Sequence, residues 1–216
     1  MNIGSRFMIL FFVLLIGCKN HKNASRVDSL PYYKDASFTP YWLSSGSVEE
    51  MNFHKISDFN LINQDNNIVN QKTFENKIVI TDFFFTSCPG ICPRMTANMK
   101  VIQDRFLEET ELLLLSHSVT PKKDSVSALK RYAKNKGAIS GKWHLVTGNK
   151  KEIYDLGRKQ YFVENDLGVI KDENDFLHTE NFLLIDRNRH IRGIYNGLNR
   201  ASINQLKIDI ETLLKD

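Results

Sequence analysis

The chain has 216 residues, of which 42% are hydrophobic and 25% charged, which suits one folded domain with short extensions and excludes global disorder. The formal charge of +4 is small, and Lys and Arg are scattered among Asp and Glu. With no basic stripe or basic helix, nucleic acid is not an expected partner.

In chain order, Arg6 is followed by the apolar run Phe7 to Ile16 and then by Gly17 and Cys18. The run is too short to span a bilayer and reads as the core of a signal peptide over residues 1–17. Leu15-Ile16-Gly17-Cys18 resembles a bacterial lipoprotein box, in which the chain is cut before the Cys and the Cys18 thiol carries a lipid. The expectation is an exported protein of the cell envelope, held on a membrane facing the periplasm by acyl chains. Residues 18–45 are polar and broken by Pro31 and Pro40, and read as a tether whose second half lies on the domain that follows, residues 46–216.

Ile56, Phe59 and Leu61, the turn signal Gln64-Asp65-Asn66-Asn67, and Ile68-Val69 predict an N-terminal β-hairpin. Lys77 to Phe85 is a continuous apolar run, the pattern of a strand buried on both faces. Pro93 suits a first helical turn, and Met95, Met99, Ile102 and Phe106 form one helical stripe. Leu112–Leu115 and Trp143–Val146 are the next strands. Between them Val126, Leu129 and Ala133 stripe a helix with Asp124 as its expected N-cap. Asn149 with Glu152 resembles a capping box opening a third helix. The polar stretch Tyr161–Leu177 reads as a long loop or small hairpin. Phe182–Ile185 and Ile191–Tyr195 are strands, and Ile203, Leu206, Ile210 and Leu213 stripe a last helix. This alternation predicts an α/β fold with a central, partly parallel sheet and helices on both faces.

Three Cys are present. With Cys18 lipidated, Cys88 and Cys92 are the only thiols of the folded part. Cys88 follows a strand and Cys92 opens a helix, where the helix dipole favours a thiolate and Arg94 would add to the effect. Such a pair is a disulfide, a redox couple that cycles, or a metal site. Two soft thiolates prefer Cu(I) or zinc, and structural zinc needs two further ligands.

Phe84-Phe85-Thr86-Ser87-Cys88-Pro89-Gly90-Ile91-Cys92-Pro93 is similar to the signature of the Sco/SenC family, thioredoxin-like copper proteins of mitochondrial and bacterial membranes. Ser118-Val119-Thr120-Pro121 with Leu129 and Tyr132-Ala133, and Trp143 with Leu145-Val146-Thr147-Gly148, extend the likeness over roughly residues 50–214. The resemblance implies a thioredoxin-like fold and one copper per chain, bound by Cys88, Cys92 and a distant His, which here is His178. It implies a Cys88–Cys92 disulfide when oxidised. The implied partner is a respiratory oxidase subunit or another copper-receiving protein, to which copper is delivered or whose thiols are reduced. The family often has Asp before the His, where this chain has Leu177, so Asp175 or Glu180 would orient the imidazole. It commonly has an Asp between positions 116 and 121, where this chain has none before Asp124. The rival functions are thiol–disulfide exchange with no stored copper, which needs only the cysteines, and peroxide reduction, for which Arg94 is weak support.

Among other candidates, Asp82 sits inside the apolar strand leading to the thiols; buried there, its pKa would rise and it could move protons. Met95 and Met99 carry thioethers but have core spacing. His117, at a strand end, is a candidate transient metal contact. His54, His144 and His190 read as surface or structural, and His21 lies in the tether.

Overall fold

The computed structural model describes residues 29–163 and 176–216. A one-turn helix, α1 (Val48–Met51), precedes a hairpin of β1 (Asn60–Asn63) and β2 (Ile68–Asn70). In its turn the Asn63 side chain accepts from the N–H groups of Asp65 and Asn67 at 3.0 and 2.9 Å, and the Asn63 N–H donates to the Asn67 carbonyl at 3.0 Å, which together hold the reversal. There follow β3 (Ile78–Phe84), α2 (Cys92–Arg105), β4 (Leu112–Ser118), α3 (Val126–Lys136), β5 (Trp143–Thr147), α4 (Lys150–Asp155), β6 (Asn181–Ile185), β7 (Ile191–Asn196) and α5 (Arg200–Leu213). A π-helical turn, Leu156–Gln160, continues α4.

The seven strands form one sheet in the order β2-β1-β5-β4-β3-β6-β7. β3 is parallel to β4 and β4 to β5, and the other pairs are antiparallel. The mixed α/β sheet expected from the alternating pattern is therefore the one observed. All seven residues of β3 and of β4 are buried, because helices cover the sheet on both sides. Ile78, Ile80 and Phe84 face a core built with Met95, Met99 and Ile102 of α2, Leu129 of α3, and Leu206 and Ile210 of α5. Val79 and Phe83 face a second core with Ile153 and Tyr154 of α4, Leu156, and the Phe59 and Phe74 rings. Met95 and Met99 are fully buried, as their spacing predicts.

Two caps differ from expectation. The N-cap of α3 is Ser125, which accepts from the Ala128 N–H at 3.3 Å. Asp124 is instead fully buried and tied to other loops, because tertiary donors outbid the local cap. At α4 only half of the capping box forms. Asn149 accepts from the Glu152 N–H at 3.2 Å, whereas the Glu152 carboxylate turns to the N–H of Asn60 at 2.7 Å.

The N-terminal stretch packs on the domain from Leu30 onward. Leu30 belongs to the first core, Tyr32 bridges to Tyr41, and Tyr33 bridges to Ile191 on β7. The buried Arg192 guanidinium donates to the carbonyls of Leu30 at 2.6 Å and Pro31 at 3.0 Å, pairs with Asp186 at 3.0 Å, and lies 3.8 Å from the Tyr32 ring centroid. His190, also buried, stands 2.9 Å from Glu50 of α1 and 2.8 Å from the His54 carbonyl, a structural role. No helix among the described residues is long and apolar enough to cross a membrane.

Candidate metal centre

The thiol pair sits where β3 ends and α2 begins, at the carboxyl end of the parallel strands. After Phe84 the chain turns, and the Cys88 N–H donates to the Phe85 carbonyl at 3.3 Å. Asp124 fixes this turn from the next loop. It accepts from the Thr86 N–H at 3.2 Å and the Thr86 hydroxyl at 2.5 Å, and from the hydroxyls of Ser118 and Thr120 at 2.5 and 2.9 Å. One buried carboxylate thereby joins the ends of β3 and β4 two residues from Cys88. Sequence reasoning missed this; the clue was the cluster of hydroxyl residues at both strand ends.

α2 has no side-chain cap: its N-cap is Ile91, and Pro93 stands in its first turn. The amides at this helix end are therefore available to the sulfur. Partial burial resists ionisation of Cys88. A hydrogen bond with the Cys92 thiol and the N–H groups of Cys92, Gly90 and Ile91 outweigh it, and bring its pKa below the usual thiol range. Cys92 is buried, and burial, the shared hydrogen bond with Cys88, and the nearby charges of Cys88 and Asp82 push it up to about 12. The two sulfurs are not bonded to each other; Cys88 is eased toward ionisation and Cys92 is held protonated. Arg94 is exposed, and the groups that act most on the two sulfurs are local backbone groups, each other and Asp82.

Asp82 lies fully buried on the sheet face beneath Cys92. Its Oδ1 accepts from the Ser116 hydroxyl at 2.5 Å, and Ser116 accepts from the Trp143 indole N–H at 2.9 Å. Burial, only partly offset by Ser116, pushes Asp82 up to about 7. The rise expected from its place in an apolar strand is therefore present. His117 does not fit the reading as a metal contact. It is fully buried on the opposite face, stacked on Phe83 at 4.8 Å with Nδ1 3.2 Å from the Thr81 hydroxyl, and burial pushes it down to about 3.

His178 is exposed and stands between two buried residues, Leu177 and Thr179. Its segment is held against the thiol end of the sheet from both sides. Phe176 meets Phe85 edge-on at 5.2 Å, and Leu177 packs so closely on Gly157 that a Cβ there would stand 2.5 Å from it. The π turn containing Gly157 is thus part of the site's support, a feature no local sequence pattern announces. Among the described residues, no three His, Cys, Asp or Glu side chains are grouped so as to hold a metal ion, so His178 is not gathered with both thiols into one cluster. The Glu180 carboxylate is engaged by Asn196 at 3.0 Å, and Asp175 lies outside the described residues, as do Cys18 and His21. The donor set fits copper. One acidic thiol, a second thiol hydrogen-bonded to it, and an exposed imidazole on the adjoining segment are soft and borderline donors suited to Cu(I), with no carboxylate among them to favour a hard cation.

Comparison with known proteins agrees with this architecture. The SCO1/SenC family model matches residues 48–215. A crystal structure of a SCO1/SenC family lipoprotein from Bacillus anthracis is 29% identical with a TM-score of 0.66, covering 74% of this chain and 95% of that one. BsSco, a member of the Sco family of cytochrome c oxidase assembly proteins with an identified disulfide switch, is 25% identical with a TM-score of 0.63, over 75% and 94% of the two chains. Arabidopsis thaliana ScoI, solved with copper bound, shares the fold at 23% identity and a TM-score of 0.57, over 74% and 97%. The fold is thus the thioredoxin-like one of these neighbours, and the chain belongs to the SCO1/SenC family.

Proposed function

We propose that this protein is an exported, membrane-tethered copper carrier that binds one copper ion through Cys88, Cys92 and His178. It would deliver copper to a respiratory oxidase subunit or another copper-receiving protein, or reduce the thiols of that protein's copper site. In this reading the signal peptide, residues 1–17, is removed and Cys18 carries the lipid, which places the domain in the cell envelope on the periplasmic side. The observation that carries the proposal is the unequal, mutually hydrogen-bonded thiol pair at the start of α2, with His178 presented from a segment packed on Phe85 and Gly157.

Copper is the cargo. Cys88 ionises first and is the first donor to an incoming ion; binding then displaces the Cys92 proton. Asp82, whose charge acts on Cys92, is assigned as the acceptor of that proton. Release is ligand exchange onto the client's donors, so no covalent step is required.

A second reading is favoured by the same thiol inequality. In thiol–disulfide exchange the Cys88 thiolate attacks a client disulfide and forms a mixed disulfide. Cys92 then displaces the client thiolate, leaving a Cys88–Cys92 disulfide and a client dithiol, a two-electron transfer. Copper titration of the reduced full chain beside His178→Ala separates the two. One tight equivalent, weakened in the variant, supports the carrier. Absence of tight binding, together with efficient reduction of a disulfide substrate, leaves the exchange reaction alone.

A further inference from the structure

β3 delivers Cys88 at one pole of the sheet. The other pole lies about 20 Å away, the length of a seven-residue strand at about 3.3 Å per residue. β6 runs antiparallel to β3 and pairs Ile185 with Val79, so the turn from Asp186 to His190 stands at this far pole. Beside that turn a surface groove of about 460 Å³ is lined by Lys55, Lys72, Glu75, Asn76, Arg187 and Arg189. Lys55 and Lys72 have no carboxylate partner among the described residues, and Glu75 is the one acidic side chain in the lining. Arg187 and Arg189 pair at the surface with Glu111 at 2.6 Å and Asp58 at 2.5 Å. The Arg189 pair is exposed and of the kind that contributes little, whereas Arg187 is held in place by two donations to Glu111 and one to the Leu213 carbonyl, so Lys55, Lys72 and Arg189 are the cations most available to an incoming anion.

The tether joins the domain at the same pole. Ser29 lines an adjoining groove that shares Asn76, Arg187 and Asn188 with the first, and Arg192 grips the Leu30 and Pro31 carbonyls beside it. From Cys18 to Ser29 the chain reaches at most about 40 Å. That stretch carries Lys19, Lys22 and Arg26 against Asp28 alone. The anchor at Cys18 is therefore attached on the groove side of the domain, at the pole opposite the thiols.

We propose that the groove of Lys55, Lys72, Arg187 and Arg189 is a membrane-docking surface that takes the phosphate of anionic phospholipid headgroups. Its place in the fold turns the thiols away from the bilayer, toward the client. This rests on the membrane-tether reading given above. The anchor raises the local concentration of lipid, and the groove supplies an orientation that a tether of this length leaves open.

Trp42 is the natural reporter, since it is exposed and adjoins Leu43 on the rim of the second groove, whereas Trp143 is buried. The lipidated full chain is reconstituted into phosphatidylcholine vesicles with or without phosphatidylglycerol, each containing a headgroup-nitroxide lipid, and Trp quenching is read with Trp42→Phe as background. Trp42 quenching is expected to be at least about twofold stronger in the anionic vesicles. That excess should disappear at high ionic strength, in the Lys55→Glu/Lys72→Glu variant, and in Lys55→Gln/Lys72→Gln, which adds no new charge. Equal quenching in both vesicle types overturns the docking surface and leaves the tether standing. A chain that fails to sediment even with neutral vesicles overturns the tether reading instead. Stabilisation by inorganic phosphate without vesicles, lost in the Lys55/Lys72 variants and unaccompanied by any lipid effect, overturns the lipid in favour of free phosphate.

Discussion

Asp82 and His117 are buried ionisable groups on opposite faces of the same pair of strands, and their titrations oppose one another. Asp82 is pushed up from 3.8 to about 7, so the folded state keeps a proton the unfolded chain has lost, and stability falls as pH rises from about 4 to about 7. His117 is pushed down from 6.5 to about 3, so the folded state refuses a proton the unfolded chain takes, and stability falls as pH drops from about 6.5 toward 3. Each slope is about 1.4 kcal/mol per pH unit, and between about pH 4 and pH 6.5 they cancel. Asp82→Asn removes only the first. In urea unfolding, the stability of the variant relative to wild type is expected to rise by about 1.4 kcal/mol per pH unit across that window. A difference that does not change with pH would show that Asp82 does not titrate in the folded core.

Gly157→Ala sets two effects against each other. Alanine is favoured over glycine in a helical turn by roughly 0.5–1 kcal/mol. Here the new methyl would meet Leu177 at 2.5 Å and Phe83 at 3.1 Å, and overpacking of this kind costs about 1–3 kcal/mol. Overpacking is expected to win, giving a net loss of about 1 kcal/mol in urea unfolding and, because Leu177 precedes His178, weaker copper binding. A stabilised variant with unchanged copper affinity would remove Gly157 from the account of the site.

The elements that carry the thiols were legible because their signals are local. Lys77 to Phe85 reads as a doubly buried strand from its unbroken apolar run, and the stripe Met95, Met99, Ile102, Phe106 is the buried face of α2. The misses share a different cause. Asp124 and Ser125 are equally good caps on paper, and the choice between them was made by Thr86, Ser118 and Thr120, which only the folded chain brings to Asp124. Spacing places Cys88 and Cys92 together, but their unequal acidity comes from burial and from the uncapped end of α2. His117 occupies a strand end in the sequence, yet lies inside the second core because Phe83 and Tyr161 close over it. The Arg192 clamp uses backbone carbonyls as partners, which leave no residue signature.

Asp124 holds four donors with one buried carboxylate, so its removal leaves three hydroxyls and an amide unsatisfied. Asp124→Ala is expected to lose about 2–4 kcal/mol of stability, and Asp124→Asn less, because an amide oxygen still accepts. Chemical denaturation of the reduced protein checks this. A loss within about 0.5 kcal/mol, the range of ordinary surface substitutions, would mean that Asp124 does not secure the loop before Cys88.

The thiol inequality has a direct chemical readout. Cys88 is the more accessible sulfur and the one whose pKa is lowered, so iodoacetamide at neutral pH should modify Cys88 first. Peptide mapping of the singly modified protein is expected to find the label on Cys88, with Cys92 labelled only after unfolding. Initial labelling of Cys92 would reverse the assigned roles.

Copper-edge X-ray absorption of the reduced chain, loaded with one equivalent of Cu(I), tests the proposed ligand set most directly. Sulfur scattering from Cys88 and Cys92 is expected together with the outer-shell pattern of one imidazole, with loss of the imidazole pattern alone in His178→Ala. A sulfur-only spectrum in the wild type, or an imidazole signal that survives the substitution, would contradict that ligand set.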